Sequence, residues 1–284
     1  MLATTEDTRD LYIDLMRGVL TRSIIPDRLR PLTSSGVRSK SLAAWAVFRI
    51  LDPILARMGL KLCRERWDQT VRRDGRDWPP EAETMVGTER LKNVEFCVRD
   101  VLRRNIPGDF METGVWRGGV CIFMRAILKA MGDTSRIVWL ADSFQGLPKP
   151  DGRFTEDRQS KWHKYQDQLG ISLEDVMANF QRYGLLDDQV RFIPGWFKDT
   201  LPNAPVDQLA VLRLDGDMYA STMDALDNLY PKLSMGGYLI VDDYGALDSC
   251  SQAVTDFRRQ YAIEDEIQQV DWSGIFWRKG SSSR

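Results

Sequence analysis

The 284-residue chain is poor in several residue types that would mark a functional class. It has four cysteines, Cys63, Cys97, Cys121 and Cys250, with no C-x-x-C pair, and a single histidine, His163. A zinc centre needs Cys and His ligands at short spacings, and a disulfide framework needs dense paired cysteines, so neither is expected. A long uncharged apolar run is also missing. The most apolar stretch, Ser41 to Leu60, carries Arg49, Asp52, Pro53 and Arg57, which is too much charge for a membrane span. Nor does one sign of charge dominate: 39 Lys+Arg against 41 Asp+Glu leave −2, so no nucleic-acid partner is expected. The segment MLATTEDTRDLYIDL is acidic where a secretory leader is basic and then apolar, and the expectation is a cytoplasmic protein.

What is present is an ordinary globular composition, 43% hydrophobic and 28% charged, over a length that suits one large domain with appendages. The charge is unevenly spread. Residues 1–80 carry 15 Lys+Arg against 10 Asp+Glu, and residues 81–284 carry 24 against 31. A basic forepart thus precedes an acidic main domain. In the forepart, a helix over 8–20 is predicted with Leu11, Leu15 and Val19 on its inner stripe. Residues 25–40 read as loop. The Ser41–Leu60 stretch reads as a helix packed on the body through Val47, Leu51, Ile54, Leu55 and Met58, with a surface- or partner-binding helix as the alternative. RRDGRDWPPEAE, residues 72–83, gathers Gly75, Pro79 and Pro80 and is the linker candidate. The expected division is an N-terminal helical lid over 1–83 and a main domain over 84–284.

From Thr84 helices and short strands alternate, the signature of an α/β sheet. A helix over 88–104 puts Leu91, Val94, Val98 and Leu102 on one face. Strands follow at DFMET, RIVWLAD, QVRFIPG, QLAVLRLD and GGYLIVDD, separated by helices, and a strand pair ends in GIFWRK. Continuous apolar character in the fourth and fifth suits central strands covered on both faces. Acids recur at the strand ends: Glu112, Asp142, Asp215 with Asp217 beyond it, and Asp242 with Asp243. In a parallel sheet these ends share one edge, where open α/β folds bind ligands. Turn and helix-cap preferences account for one or two such acids but poorly for the whole set, and so much like charge needs cations or donors to offset it.

The turn E-T-G-V-W-R-G-G at 112–119 lets a ligand approach backbone, yet it departs from G-x-G-x-x-G and lacks a phosphate loop's Lys and Ser/Thr. Asp142, one strand later, stands where an acid receives both ribose hydroxyls. A nucleoside cofactor without tight phosphate binding fits the pair, and S-adenosylmethionine is one. Asp215, Asp217, Asp242 and Asp243 offer hard oxygen ligands suited to Mg²⁺. An ion there lowers the pKa of a coordinated hydroxyl, and a free carboxylate beside it removes the proton. His163 competes for the role of base but sits in KWHKYQDQ, a lid or substrate-contact passage. Trp116, Trp139, Trp162 and Trp196 are candidate adenine or sugar platforms.

FMETGVWRGG, VWLADSFQGLPKPDG, RYGLLDDQVRFIPGWFKDTLP, LRLDGDMYASTMDAL and GGYLIVDDYG resemble the macrocin O-methyltransferase family, whose members methylate sugar hydroxyls on macrolides and aminocoumarins. The likeness extends over roughly residues 8–25 and 75–279. It implies a class I methyltransferase fold: a mostly parallel Rossmann-like sheet with a C-terminal antiparallel strand, helices on both faces and an N-terminal helical lid. It implies S-adenosylmethionine as donor, with Glu112, Thr113, Gly114, Asp142 and Ser143 as contacts and Gly195, Trp196 and Phe197 near the adenine. It further implies Mg²⁺ on Asp215, Asp242 and Asp243, Asp217 as general base, and a homodimer or higher homo-oligomer.

The stretch from about Pro31 to Arg73 falls outside the resemblance and carries much of the basic surplus, with Arg38, Lys40, Arg49, Arg57, Lys61, Arg64, Arg66, Arg72 and Arg73. It is expected to help recognise an acceptor larger or more acidic than a macrolide, or to give peripheral membrane contact; a solvated hairpin or dimer contact is the competing reading. The sequence thus points to an Mg²⁺-dependent O-methyltransferase acting on a sugar hydroxyl of a glycosylated natural product or glycolipid. The rivals are a metal-dependent glycosyltransferase using the D-G-D acids, a catechol-type O-methyltransferase, and a non-catalytic binding module on the same scaffold.

Overall fold

The computed structural model describes residues 5–32, 41–65, 68–150 and 152–280. Arg38, Lys40 and Arg66 of the basic stretch lie outside them. Helix α1 (Thr5–Leu20) leads into a two-stranded antiparallel ribbon, β1 (Leu29–Pro31) with β2 (Cys63–Glu65), that brackets helix α2 (Leu42–Arg57). Short α3 (Gln69–Arg73) and then α4 (Thr88–Arg103) follow. Strands and helices follow where the apolar runs predict: β3 (Asp109–Thr113), α5 (Gly119–Met131), β4 (Val138–Asp142), α6 (Leu173–Arg182), β5 (Val190–Pro194), β6 (Leu209–Leu214) after a single helical turn at Phe197–Thr200, α7 (Tyr219–Leu229), β7 (Leu233–Val241) and α8 (Asp248–Gln260). The last elements are β8 (Gln268–Gln269) and β9 (Ile275–Arg278).

Seven strands form one sheet in the order β5-β4-β3-β6-β7-β9-β8. β3 to β7 run parallel, and β9 lies antiparallel to both β7 and β8. The chain steps outward from β3 to β5, then returns to start β6 on the other side of β3. That reversal opens a crevice at the carboxyl ends of the strands. The period-2 alternation divides the core: Phe110, Leu140, Val211 and Ile240 join the layer of α1, α4, α5 and α6, while Met111, Trp139, Leu212 and Leu239 join that of α7 and α8.

Two helical faces differ from the sequence expectation. In α1 the buried stripe is Ile13, Met16 and Leu20, whereas Leu11 and Leu15 are 65% and 54% exposed. The segment contains two overlapping apolar stripes, and the one that meets the core is Ile13, Met16 and Leu20. Arg17 bonds Glu95 at 2.5 Å and Arg99 bonds Asp10 at 2.6 Å, ion pairs to α4 that are compatible with this rotation. Helix α2 forms as predicted, with the Ser41 hydroxyl accepting from the Ala44 amide, but it does not pack through the predicted face. Phe48 is its buried residue, and Val47, Ile50, Ile54 and Met58 face outward. No described helix is long and apolar enough to cross a membrane.

The long excursion after β4 is tied down at a distance. The Asp157 carboxylate accepts the amides of Tyr219 and Ala220 at 2.9 and 2.8 Å, capping α7 from 62 residues away in sequence. Arg153 adds two bonds to Asp224 on the same helix. Asp157→Ala is therefore expected to lower unfolding free energy by about 1–2 kcal/mol; an unchanged urea midpoint would show that the cap carries no stability.

Candidate functional site

At the end of β3 the chain turns at Gly114 with φ +85°, and a Cβ there would lie 1.8 Å from the Asp215 carbonyl oxygen. Only glycine allows the β3 turn and the end of β6 to touch in this way. The turn is held by Asp142, whose carboxylate accepts the amides of Val115 and Phe144, each at 2.7 Å. Burial pushes the Asp142 pKa up, and these amide bonds oppose it. Trp116, Phe144 and Asp217 have φ between +47° and +59°. Side chains rarely adopt that region, and all three stand in loops leaving the sheet edge, which is where strain accompanies function.

These loops shape two adjoining cavities. The first, of about 420 Å³, is lined among others by Gly114, Asp142, Ser143, Trp196 and Phe197. The second, of about 230 Å³, has Glu112, Asp242 and Asp243 in its floor and Trp78, Trp116, Trp162 and Trp272 among its walls. Asp215, Asp217, Met85, Trp116 and Leu169 line both, so the two spaces meet at the acids after β6. Gly195 and Thr113 line neither. The Gly195 amide instead donates to the Asp142 carbonyl oxygen at 2.8 Å, and Thr113 is fully buried.

The acids are organised by two arginines. Arg213, 1% exposed in β6, reaches carboxylates from three strand ends: Glu112, Asp215 at 2.8 Å and Asp242. Arg90 of α4 takes the other oxygen of Asp242 and bonds Asp271 at 3.1 Å. Glu112 also accepts from the Cys121 thiol at 2.9 Å, so its side chain faces this network. Burial raises its pKa to about 7 against the pull of Arg213. Asp217 and Asp243 form no ion pair among the described residues. Burial and repulsion from Asp215 and Asp242 push Asp217 up to about 8, and Asp243 rises for the same reasons.

This donor set suits a divalent cation. Asp215, Asp242 and Asp243 each present an oxygen within 4.8 Å of the others, and the two arginines leave the cluster with unmatched negative charge. Hard oxygens with room for water ligands match Mg²⁺ better than a thiol- or imidazole-loving metal. Asp217 stands beside this set, its amide 3.3 Å from an Asp243 oxygen.

His163 lies in a single turn within the excursion and lines neither cavity. Trp139 belongs to the core, its indole N–H donating to Asp109. Sequence reading missed Arg213, Arg90, Trp78 and Trp272. Arg213 carried a legible signal, being the one charge inside the otherwise apolar LAVLRL. Arg90 and the two tryptophans carried none, because long-range packing brings them in. Among residues 31–73, none of those described lines either cavity; Arg72 acts from beneath, donating to the carbonyl oxygens of Met85 and Val86 at 2.7 and 2.6 Å. Gly114→Ala is expected to displace the turn from Asp215 and abolish the thermal stabilisation conferred by S-adenosylhomocysteine; a wild-type shift would show that the turn is not part of the ligand site.

Residues 9–279 match the family described as Macrocin-O-methyltransferase (TylF). The chain is 50% identical over 280 residues to the 8-demethyl-8-(2,3-dimethoxy-alpha-L-rhamnosyl)-tetracenomycin-C 4'-O-methyltransferase of Streptomyces olivaceus, covering 98% of this chain and 96% of the relative. An alignment of that length includes residues 31–73, so the stretch set outside the resemblance has a counterpart there. The demethyldecarbamoylnovobiocin O-methyltransferase of Streptomyces niveus is 54% identical over 213 residues, 74% of this chain and 81% of its own. The solved structure of the O-methyltransferase NovP superposes with a TM-score of 0.82 at 45% identity, covering 96% of this chain and 99% of that one. With the class I sheet, the glycine turn and the strand-end acids already in place, the chain belongs to the macrocin-O-methyltransferase family.

Proposed function

We propose that this protein transfers a methyl group from S-adenosylmethionine to a sugar hydroxyl of a glycosylated natural product, with a divalent ion, Mg²⁺, at the acid cluster. The observation that carries the reading is the shared wall: Asp215 and Asp217 face both the cavity with the Asp142 ribose acid and the cavity with the four tryptophans. A cofactor in the first and an acceptor in the second would meet at these carboxylates. Indole faces suit the apolar faces of a sugar ring, and the relatives' names specify O-methylation of such compounds.

When bound, S-adenosylmethionine supplies an activated methyl group, and the ion lowers the pKa of the acceptor hydroxyl. The protein's part is positioning and proton removal. Asp142 receives the ribose hydroxyls, while Ser143, Trp196 and Phe197 close the adenosine end. Asp215, Asp242 and Asp243 hold the ion. Asp217 takes the hydroxyl proton: burial and the neighbouring acids push its pKa up to about 8, which makes its ionised form a stronger base than an ordinary carboxylate. Positioning of the acceptor hydroxyl against the cofactor by these residues would supply much of the acceleration.

Residues 1–83 act in this reading as a lid region, since Gly75, Arg76, Asp77 and Trp78 line the acceptor cavity. The outward apolar face of α2 pairs with a second copy in a homodimer, and the protein works in the cytoplasm. Ile54→Asp is expected to halve the solution mass seen by light scattering without loss of fold. A mass unchanged by the substitution, or wild-type partition onto liposomes, would replace that interface with another occupant.

Asp217→Asn is expected to lower turnover by at least about 100-fold while leaving S-adenosylhomocysteine affinity within about threefold. Loss of cofactor affinity would make Asp217 a structural residue. Calorimetric titration of the wild-type protein separates the rival activity: binding of S-adenosylhomocysteine supports methyl transfer, and binding of a UDP-sugar alone would refute it.

A further inference from the structure

The central guanidinium is more than a counterion. Arg213 projects from β6 two residues before Asp215, and its environment is almost wholly anionic. One terminal nitrogen donates to both Glu112 and Asp215, the latter at 2.8 Å, and the other donates to Asp242. These acceptors come from β3, β6 and β7, three adjacent strands. The side chain is 1% exposed and its Glu112 and Asp242 partners are buried, so solvent screens those contacts little, while Asp215 opens to the cavity. Asp242 is gripped on its second oxygen by Arg90, which is itself fixed by Asp271 and the Gly75 carbonyl oxygen. Carboxylates this close repel, and with nothing between them they would turn apart into the cavity.

We infer that Arg213 is a positioning residue of this site: its planar fork sets the separation and orientation of Asp215 and Asp242, on which a divalent cation would rest. The inference rests on the ion site of the proposed function and assigns the geometry of that site to a residue that does not touch the ion. A planar guanidinium presents donors in fixed directions, so it can set two carboxylate orientations at once. A lysine supplies the same charge from a single rotatable ammonium and cannot. If Arg213 served only to neutralise charge, lysine would replace it. Partners behind metal ligands commonly contribute 10–100-fold in metal affinity.

The test is Mn²⁺ titrated alone into the full chain, read by electron paramagnetic resonance, with S-adenosylhomocysteine affinity measured in parallel. Arg213→Lys is expected to weaken Mn²⁺ binding at least about tenfold and to raise the dication concentration for half-maximal turnover by a similar factor. S-adenosylhomocysteine affinity is expected to stay within about threefold, because Asp142 and the Gly114 turn do not contact Arg213. A second variant guards against collapse of the buried cluster: Arg213→Gln with Glu112→Gln removes one positive and one negative charge together. Circular dichroism selects whichever variant keeps the native fold, and the same weakening is expected of it. Wild-type Mn²⁺ affinity in a folded variant would overturn the inference and leave the proposed activity standing. Failure of the wild-type protein to bind Mn²⁺ at all would instead remove the ion site on which it rests.

Discussion

Almost everything at this site depends on one buried electrostatic arrangement, a guanidinium enclosed by carboxylates from three neighbouring strands. Desolvating a charge is costly, and a buried ion pair offsets that cost only when its geometry is good and its remaining donors are satisfied. Arg213 meets the condition through Glu112, Asp215 and Asp242, and Arg90 extends it to Asp271. Removing one member would strand the rest, which for buried pairs costs about 3–5 kcal/mol. The network therefore holds strands and site together, and it leaves Asp217 and Asp243 without an ion-pair partner among the described residues, Asp217 at the meeting of the cavities and Asp243 lining the second.

The sheet supplies the rest of the geometry. Parallel strands bring their carboxyl ends to one edge, and the reversal between β3 and β6 opens that edge into a crevice. The loops leaving it then adopt backbone conformations that side chains avoid, at Trp116, Phe144 and Asp217. Such conformations persist because the surroundings over-determine them: the Asp142 carboxylate holds Val115 and Phe144, and Ser249 donates to the Asp217 carbonyl oxygen at 3.0 Å. Catalytic groups in this reading are pre-set by backbone and do not wait for a ligand to order them.

Much of this was legible in the sequence, for identifiable reasons. The strands from DFMET to GGYLIVDD announce themselves because buried parallel strands are apolar on both faces, and the acids at their ends share an edge by topology alone. The turn after β3 was readable because glycine is obligatory where Gly114 meets Asp215. What escaped depends on distance. Arg90 comes from a helix 152 residues before Asp242, and no local pattern links them. Trp78 and Trp272 line one cavity although they are far apart in sequence. In α1 the periodicity held but its phase did not, since Ile13, Met16 and Leu20 meet the core while Leu11 and Leu15 stay exposed, and a lone helix with two apolar stripes does not say which one the body covers. Helix α2 shows the complementary limit, for apolar spacing predicts a face to be covered without naming what covers it.

The central claim is that the strand-end acids form one dication-binding unit at the junction of two ligand cavities. Anomalous diffraction from crystals grown with Mn²⁺ and S-adenosylhomocysteine tests it most directly. The account predicts a single strong peak within coordination distance of Asp215, Asp242 and Asp243, with Asp217 beside it and adenosine against Asp142. A peak elsewhere, or cofactor density in the tryptophan-walled cavity, would contradict it.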